Sequence, residues 1–223
     1  DPEGFCTEAA EEIHWTKQWD KVLDDSNPPF YQWFAGAETN TCYNAVDRHV
    51  ESGRGDQAAF IYDSTMADTK RVITYRELLD QVSRFAGVLE SHNVGYGDRV
   101  ILYMPMVPEA AIAMLGCARI GAVHSVVFGG FAPQELATRI DDCSAKLIVT
   151  ATCGLEPGRT VEYMPMVNEA IELASHKISK VILLQRDQHP VEAVTGRDTD
   201  WHEAMARATL TNCLPVKATD PLY

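Results

Sequence analysis

The sequence predicts a layered α/β fold, in which a mainly parallel sheet is covered by helices. Three observations predict it: strand-like and helix-like segments alternate from residue 58 onward, the run DRVILYM is apolar almost throughout, and glycine turns separate the two kinds of segment. Alternating strands and helices form right-handed crossovers between parallel strands. A strand without polar alternation is typical of a sheet that is buried on both faces.

Composition and charge narrow the functions that the chain can have. Its 223 residues suffice for one large domain or two small ones, and 46% hydrophobic with 23% charged residues is typical of a globular protein. The net charge of −13 disfavours nucleic acid, which requires a basic surface. Apolar runs stay far below the ~20 residues of a membrane span. We therefore expect neither a nucleic-acid nor a membrane partner, whereas one local arginine is enough to bind an anionic small molecule.

Residues 1–50 are predicted to form an acidic, aromatic-rich helical arm on a larger body, residues 51–223. Four apolar side chains of the arm recur at helical spacing: Trp15, Trp19, Val22 and Leu23. Pro28 and Pro29 then break the helix. Packing of these aromatic rings into a core is favoured over a role as a ligand platform.

The body begins with two short β-like runs, AAFIYD and KRVITY, and continues with a helix whose first turn carries a capping box at Thr74 and Glu77. The strand DRVILYM leads to a helix that starts near Pro108. The predicted order then continues with strand AVHSVVF, helix APQELATRIDDC, strand AKLIVT, helix NEAIELAS and strand KVILL. The segment DTDWHEAMARAT, with a D-x-x-E box, predicts a last short helix.

The pentapeptide YMPMV occurs twice, at residues 103–107 and 163–167. Both copies lie where the chain is predicted to enter a helix, and we expect the Glu-Ala pair that follows each copy in the first turn of that helix. The flanking sequences differ, GDRVIL before the first copy and PGRTVE before the second. We interpret the pair as two similar local junctions and not as a duplicated module.

Two loops are candidates for ligand binding. Phe128, Gly129 and Gly130 come directly after a strand and before a helix N-terminus, a place that suits an anion, although a plain tight turn explains them equally well. The stretch TCGLEPGRTVEY leaves the carboxyl end of the next strand, and its Arg159 is placed to pair with a phosphate. From spacing alone, an ion pair of Arg159 with a surface carboxylate is the stronger alternative.

No catalytic or metal-binding constellation emerges. The six cysteines include no CxxC pair and are expected to be reduced structural thiols, the seven histidines include no HExxH motif, and no Walker-type phosphate loop is present. His124, on an apolar strand, is expected to be a hydrogen-bonded core residue. We therefore predict no catalytic residue and no metal ligand in this chain.

Four segments resemble the short-chain acyl-CoA synthetases of the adenylate-forming superfamily: YNAVDRH, ITYRELLDQV, GDRVILYMPMVPEAAIAMLGCARIGAVHSVVFGGFAPQELATRI and GLEPGRTVEY. EPGRTVEYMPMVNEAIELASHK and GRDTDWHEAM look most like its mitochondrial, propionate-preferring members. The resemblance implies joining of a carboxylate to ATP, with Mg²⁺, to give an acyl-adenylate, and then transfer of the acyl group to coenzyme A.

The resemblance also implies which residues contact coenzyme A. They are the turn at Phe128, Gly129 and Gly130, the loop of Glu156, Pro157, Gly158 and Arg159, and Val161 on the adenine. Acetyl-type members carry a basic residue where Glu156 stands, and glutamate cannot pair with phosphate, so the Glu156 side chain is a doubtful contact.

The phosphate loop, acyl pocket and catalytic lysine of the family are not found in this sequence. We therefore expect an N-terminal portion of such an enzyme, inactive alone, whose partners are the remaining C-terminal part and the substrates coenzyme A, ATP and a short-chain carboxylate. By resemblance its location is the mitochondrial matrix, otherwise the cytoplasm. The competing hypothesis is a non-catalytic α/β binding or interaction domain derived from such an enzyme.

Overall fold

The computed structural model describes residues 1–223 and has a five-stranded parallel sheet at its centre. Its strands, in spatial order, are β12 (Asp198–Asp200), β11 (Val181–Leu184), β8 (Leu147–Ala151), β6 (Arg99–Met104) and β7 (Val123–Phe128). All four neighbouring pairs are parallel. The predicted layered α/β fold is confirmed.

Helices cover both faces of the sheet. They are α2 (Tyr75–Ser91), α3 (Pro108–Arg119), α4 (Pro133–Cys143), α5 (Met164–Leu173) and α6 (Trp201–Arg207). Helices α2, α3 and α6 share one buried cluster with Val100 and Leu102 of β6, while α4 and α5 share the other with Ile101 and Tyr103. Successive side chains of a strand point to opposite faces, so the uninterrupted apolar run of β6 supplies both cores.

Four antiparallel pairs surround this central unit. Strands β4 (Ala58–Ser64) and β5 (Thr69–Thr74) form a hairpin before α2, as the sequence predicts. Strands β9 (Cys153–Glu156) and β10 (Arg159–Glu162) form another between β8 and α5. Strand β1 (Lys21–Asp24) pairs with β2 (Gln32–Ala35), and β3 (Glu38–Thr39) pairs with β13 (Val216–Lys217). The last pair joins the N-terminal arm to the far end of the chain.

The N-terminal arm differs from its prediction. Its helix, α1, spans Pro2–Ala10, and the region predicted to be helical contains an irregular stretch followed by strand β1. The rings of Trp15, Trp19 and Phe34 lie 5.1–5.3 Å apart. They form a half-buried local cluster outside both buried cores, and not the predicted core packing. Pairing with β2 satisfies the backbone of β1, which is a tertiary contact that helical spacing cannot reveal.

Two short π-helical segments, Tyr43–Asp47 at the end of the arm and Val50–Arg54 after it, precede β4. None of the helices combines the length and the hydropathy that a membrane span requires.

Candidate functional site

A cleft of about 400 Å³ opens at the carboxyl ends of β6 and β7, beside the β9–β10 hairpin. Open α/β sheets bind their ligands at this edge. Apolar side chains dominate its lining, among them Met104, Met106, Val107 and Val161, and the turn between β4 and β5 closes one side. Such a cleft, largely apolar with few polar groups, is typical of a small-molecule site.

The two tyrosines of the YMPMV copies meet beneath this cleft. The rings of Tyr103 and Tyr163 lie 5.0 Å apart and are inclined by 50°. The Tyr103 hydroxyl donates a hydrogen bond to the Phe131 carbonyl at 3.1 Å and accepts one from the Gly130 N–H at 3.1 Å. Tyr103 therefore fixes the glycine turn that follows β7.

Tyr163 explains two of the glycines. A Cβ on Gly129 or on Gly154 would collide with the hydroxyl end of the Tyr163 ring. The turn after β7 and the hairpin thus both pack their backbone against one side chain, which only glycine permits at this separation. This contact brings the two candidate loops of the sequence to one place.

Burial decides what these phenols can do. It raises the pKa of Tyr163 to about 12 and also raises the pKa of Tyr103. Both side chains are therefore neutral at physiological pH and hold the loops by packing and hydrogen bonding, since a protonated phenol is a poor base.

The second motif copy lies inside a helix and not before one. Helix α5 begins at Met164 because Pro165 is tolerated in a first turn, so Glu169 and Ala170 fall in its second turn. The expected first-turn position is correct only for the first copy, whose Glu109 and Ala110 follow Pro108.

The second candidate loop is a β-hairpin. Its tight turn joins Glu156 to Arg159 through Pro157 and Gly158, which has a φ of +78°. The Arg159 guanidinium pairs with the Glu156 carboxylate through Nε and Nη2, at 2.7 and 2.6 Å, and the side chains are 69% and 45% exposed. In this structure Arg159 has the carboxylate partner that was the stronger alternative from spacing.

The structure divides the sequence-predicted residues into two groups. Those that line the cleft are Phe128, Gly129, Glu156 and Val161. Gly130 lies just behind it in the same turn, whereas Pro157, Gly158 and Arg159 form the tip of the hairpin. Arg159 therefore stands at the rim, and an extended ligand would have to reach out of the cleft to meet it.

Sequence reasoning missed one cation at this cleft. Arg186 follows β11, lines the cleft and donates a hydrogen bond from Nη1 to the Cys153 carbonyl at 3.0 Å. Its position two residues after the carboxyl end of a buried strand is the signal that could have identified it.

His124 is buried, as expected, but its Nδ1 atom has no hydrogen-bond partner. Burial lowers the pKa of its imidazole. It does not line the cleft. The expectation that all of its hydrogen bonds are made is therefore wrong.

Comparison with known families identifies the chain. Residues 46–223 match the family model described as AMP-binding enzyme. The chain belongs to the AMP-binding enzyme family. Residues 1–45 match a second model, described as acetyl-coenzyme A synthetase N-terminus. The resemblance inferred from the sequence motifs is confirmed at the level of the family.

Individual relatives agree with this assignment. The chain is 51% identical over its whole length to the mitochondrial acyl-CoA synthetase short-chain family member 3 of Rattus norvegicus. It is 46% identical over 93% of its length to an acetyl-coenzyme A synthetase of Rubrobacter xylanophilus. The chain spans about a third of these curated relatives, 33% and 32% of their lengths.

A solved structure also superposes on this chain. The acetoacetyl-CoA synthetase from Streptomyces lividans matches 99% of it with a TM-score of 0.88 at 25% sequence identity. The chain again covers 33% of that protein.

Proposed function

We propose that this chain is the N-terminal third of an ATP-dependent short-chain acyl-CoA synthetase and forms part of its coenzyme A site. The arm of residues 1–50 and the α/β subdomain of residues 51–223 would form the scaffold. The observation that carries the proposal is the packing of two loops, the turn after β7 and the β9–β10 hairpin, on the single side chain of Tyr163 beside an apolar cleft.

In this proposal coenzyme A contacts both loops. Phe128, Gly129 and Gly130 would offer backbone at the turn, and Val161 would offer an apolar surface to the adenine. The hairpin tip would supply Glu156, Pro157, Gly158 and Arg159, and only Arg159 among them carries a positive charge for a phosphate.

Arg159 must exchange its carboxylate partner for the phosphate. An exposed ion pair contributes about 0–1 kcal/mol, so Glu156 is a weak competitor for Arg159. A hydrogen bond to a charged group contributes roughly 1.5–3 kcal/mol. The exchange is therefore favourable, although the Glu156 carboxylate repels the incoming phosphate and lowers the gain.

ATP and Mg²⁺ would bind outside this chain. Mg²⁺ prefers oxygen ligands in octahedral geometry. The chain's group of side chains with metal-ligand spacing contains two thiols, Cys42 and Cys213, with Asp47, which does not fit Mg²⁺.

The acid substrate and the location are also proposals. A short-chain carboxylate, propionate or acetate, and the mitochondrial matrix agree with the similarity to mitochondrial short-chain relatives. The competing function, a non-catalytic binding domain, predicts no thioester formation by the full-length protein.

The decisive experiment measures both half-reactions in the full-length synthetase. Arg159→Ala should weaken coenzyme A binding, because the phosphate loses a charged donor worth roughly 1.5–3 kcal/mol. At about 1.4 kcal/mol per factor of ten, the dissociation constant should rise roughly ten- to a hundredfold. Pyrophosphate exchange without coenzyme A should be nearly unchanged. Arg159→Lys should recover only part of the loss, since lysine lacks the bidentate fork.

Glu156→Gln provides the opposite test, because it removes the competitor for Arg159 and should strengthen coenzyme A binding. Arg84→Ala is the matched control, since Arg84 also pairs with an exposed carboxylate, that of Asp80, but lies on α2 outside the cleft. Loss of exchange in Arg159→Ala with an unchanged dependence on coenzyme A would show that Arg159 is structural and would refute the proposed contact.

A further inference from the structure

Four polar side chains meet inside the protein, away from the cleft: Cys42, Asp47, Arg119 and Cys213. The Arg119 guanidinium donates to both carboxylate oxygens of Asp47, at 2.7 and 2.9 Å. Its Nη1 also lies 3.4 Å from the Cys42 sulfur and 3.0 Å from the Cys213 sulfur. The ligand atoms of Cys42, Asp47 and Cys213 all lie within 4.8 Å of one another.

This cluster does not have the character of a metal site. A guanidinium nitrogen lies among the three atoms that a cation would need, and Arg119 stays charged at any physiological pH. A bound cation would have to displace that charge. In this arrangement one of the two neighbouring thiols can lose its proton, because the guanidinium stabilises the negative charge of the thiolate.

The neighbouring Cys213 thiol, followed by Arg119, lowers the pKa of the Cys42 thiol below its ordinary value, and the same contact together with burial raises the pKa of Cys213. The Cys213 thiol also donates a hydrogen bond to Asp47 Oδ2 at 3.6 Å. In contrast, burial raises the pKa of the isolated Cys117 thiol to about 12 and raises that of Cys143. Cys42 is thus distinguished from those two by a neighbouring thiol, and the negative charge of the pair lies mainly on Cys42.

The cluster is open to solvent on one side. Cys42 is fully buried, but Cys213 is only partly buried and lines a surface hollow of about 360 Å³ with Glu90, Tyr96 and Thr211. A small oxidant can reach the Cys213 sulfur through this hollow.

We propose that Cys42 and Cys213 form a peroxide-sensitive dithiol that is converted into an intramolecular disulfide. The Cys42 thiolate takes the Cys213 proton while the Cys213 sulfur attacks one oxygen of hydrogen peroxide. The O–O bond breaks, a Cys213 sulfenic acid forms, and the departing hydroxide takes up a proton to become water. The Cys42 sulfur then attacks the Cys213 sulfur, forms the S–S bond and releases a second water. In total, the singly ionised pair loses two electrons and one proton, solvent supplies a second proton, and one peroxide becomes two waters.

The disulfide would fix the end of the chain to its body. The segment around Cys213 is held at present by hydrogen bonds: Arg119 Nε to the Thr211 carbonyl at 2.5 Å, the Leu214 N–H to the Arg119 carbonyl at 2.8 Å, and Asn40 Nδ2 to the Leu214 carbonyl at 2.8 Å. A covalent link in the same place restricts the unfolded chain and should raise the thermal unfolding midpoint.

The test treats the full-length wild-type protein with graded hydrogen peroxide, blocks free thiols with N-ethylmaleimide and maps unreduced peptides by mass spectrometry. We expect a cross-linked peptide pair containing Cys42 and Cys213. The link should form at a peroxide dose that leaves Cys143 unmodified, because the Cys42 sulfur lies next to Cys213 and captures its sulfenic acid. Dithiothreitol should reverse the link.

Variants separate the two steps. Cys42→Ser should abolish the cross-link and, because it also removes the base, leave only slow formation of a Cys213 sulfenic acid that dimedone traps. Cys213→Ser should abolish both products. Cys143→Ser is the matched control and should leave the cross-link unchanged. The peptide map of the wild-type protein tests the cross-link without any variant, so the proposal stays testable even if a variant fails to fold.

Two outcomes would overturn the proposal. One is a map in which Cys42 and Cys213 are both alkylated at a peroxide dose that already oxidises Cys143. The other is one equivalent of zinc on the purified protein that is lost on oxidation of these thiols, which would make the cluster a metal site.

Discussion

At the scale of single residues, the Tyr103 hydroxyl determines the shape of the turn after β7. It is the acceptor for the Gly130 N–H and the donor to the Phe131 carbonyl. Gly130 has a φ of +113°, a conformation that glycine adopts readily. Because glycine can leave this conformation as readily, the hydrogen bond to Tyr103 is what fixes the turn. Tyr163 touches the same turn only through packing against Gly129.

Tyr103→Phe tests this division of roles. The variant should fold but lose about 0.5–1.5 kcal/mol of stability, because the Gly130 N–H and the Phe131 carbonyl lose their shared partner. Amide hydrogen exchange should accelerate at Gly130 and Phe131. Tyr163→Phe, the same substitution at the other motif copy, keeps the ring packing and should leave exchange in the turn unchanged. Equal exchange in the two variants would contradict the assigned role of Tyr103.

Residue roles were predictable only where the chemistry was local. The sequence could place Arg159 next to Glu156 and weigh an ion pair, because the two are three residues apart in one turn. It could not reveal that Cys42 and Cys213 share one guanidinium, since no spacing rule links such distant residues. Arg186 was partly predictable, because its place after a buried strand puts it at the carboxyl edge of the sheet. The direction of its side chain could not be predicted from the sequence.

At the scale of elements, the capping box at the start of α2 shows why that helix was predicted well. The Thr74 hydroxyl accepts from the Glu77 N–H at 3.3 Å, and the Glu77 carboxylate accepts from the Thr74 N–H at 2.8 Å. Both contacts span three residues, so the start of the helix is encoded in its own sequence.

Thr74→Ala should therefore destabilise the protein by about 1 kcal/mol, within a range of roughly 0.5–2 kcal/mol, because the first turn of α2 loses its side-chain acceptor. The measurement is urea unfolding followed by circular dichroism. Thr74→Ser is the control and should stay close to wild type, since serine caps equally well. A loss of the same size in Thr74→Ser would assign the effect to packing of the threonine methyl group.

The two elements that were predicted wrongly depend on partners distant in sequence or on turn geometry. Strand β1 owes its conformation to β2, and the spacing of Trp15 and Trp19 that suggested a helix is satisfied by a cluster with Phe34. The stretch after β8 was predicted as a loop because Pro157 and Gly158 dominate it. In the structure those two residues form the turn, and the flanks pair as a hairpin.

At the scale of the whole molecule, the alternation of strands and helices predicted the layers but not the order of the sheet. The order β12-β11-β8-β6-β7 depends on crossovers whose direction no local pattern records. The contact between the N-terminal arm and the C-terminal segment was also not predictable from the sequence. Strand β3 pairs with β13, and Asn40 bonds to the Leu214 carbonyl.

The central tie between distant parts of the chain is the Asp47–Arg119 ion pair. Asp47 ends the π-helical segment Tyr43–Asp47, and Arg119 ends α3. The side chains are 12% and 4% exposed. Arg119 also holds the Thr211 carbonyl, so one guanidinium joins three parts of the fold.

Asp47→Asn should therefore destabilise the molecule far more than the loss of a surface ion pair. Removing one partner leaves a buried uncompensated charge, which costs about 3–5 kcal/mol, whereas an exposed pair contributes about 0–1 kcal/mol. In thermal unfolding, 1 kcal/mol corresponds to roughly 2–4 °C in a chain of this size. Asp80→Asn, which breaks the exposed pair with Arg84 on α2, is the matched control. Similar unfolding midpoints for Asp47→Asn and Asp80→Asn would mean that water or another group compensates the charge of Arg119. The Asp47–Arg119 ion pair would then not be the central tie between distant parts of the chain.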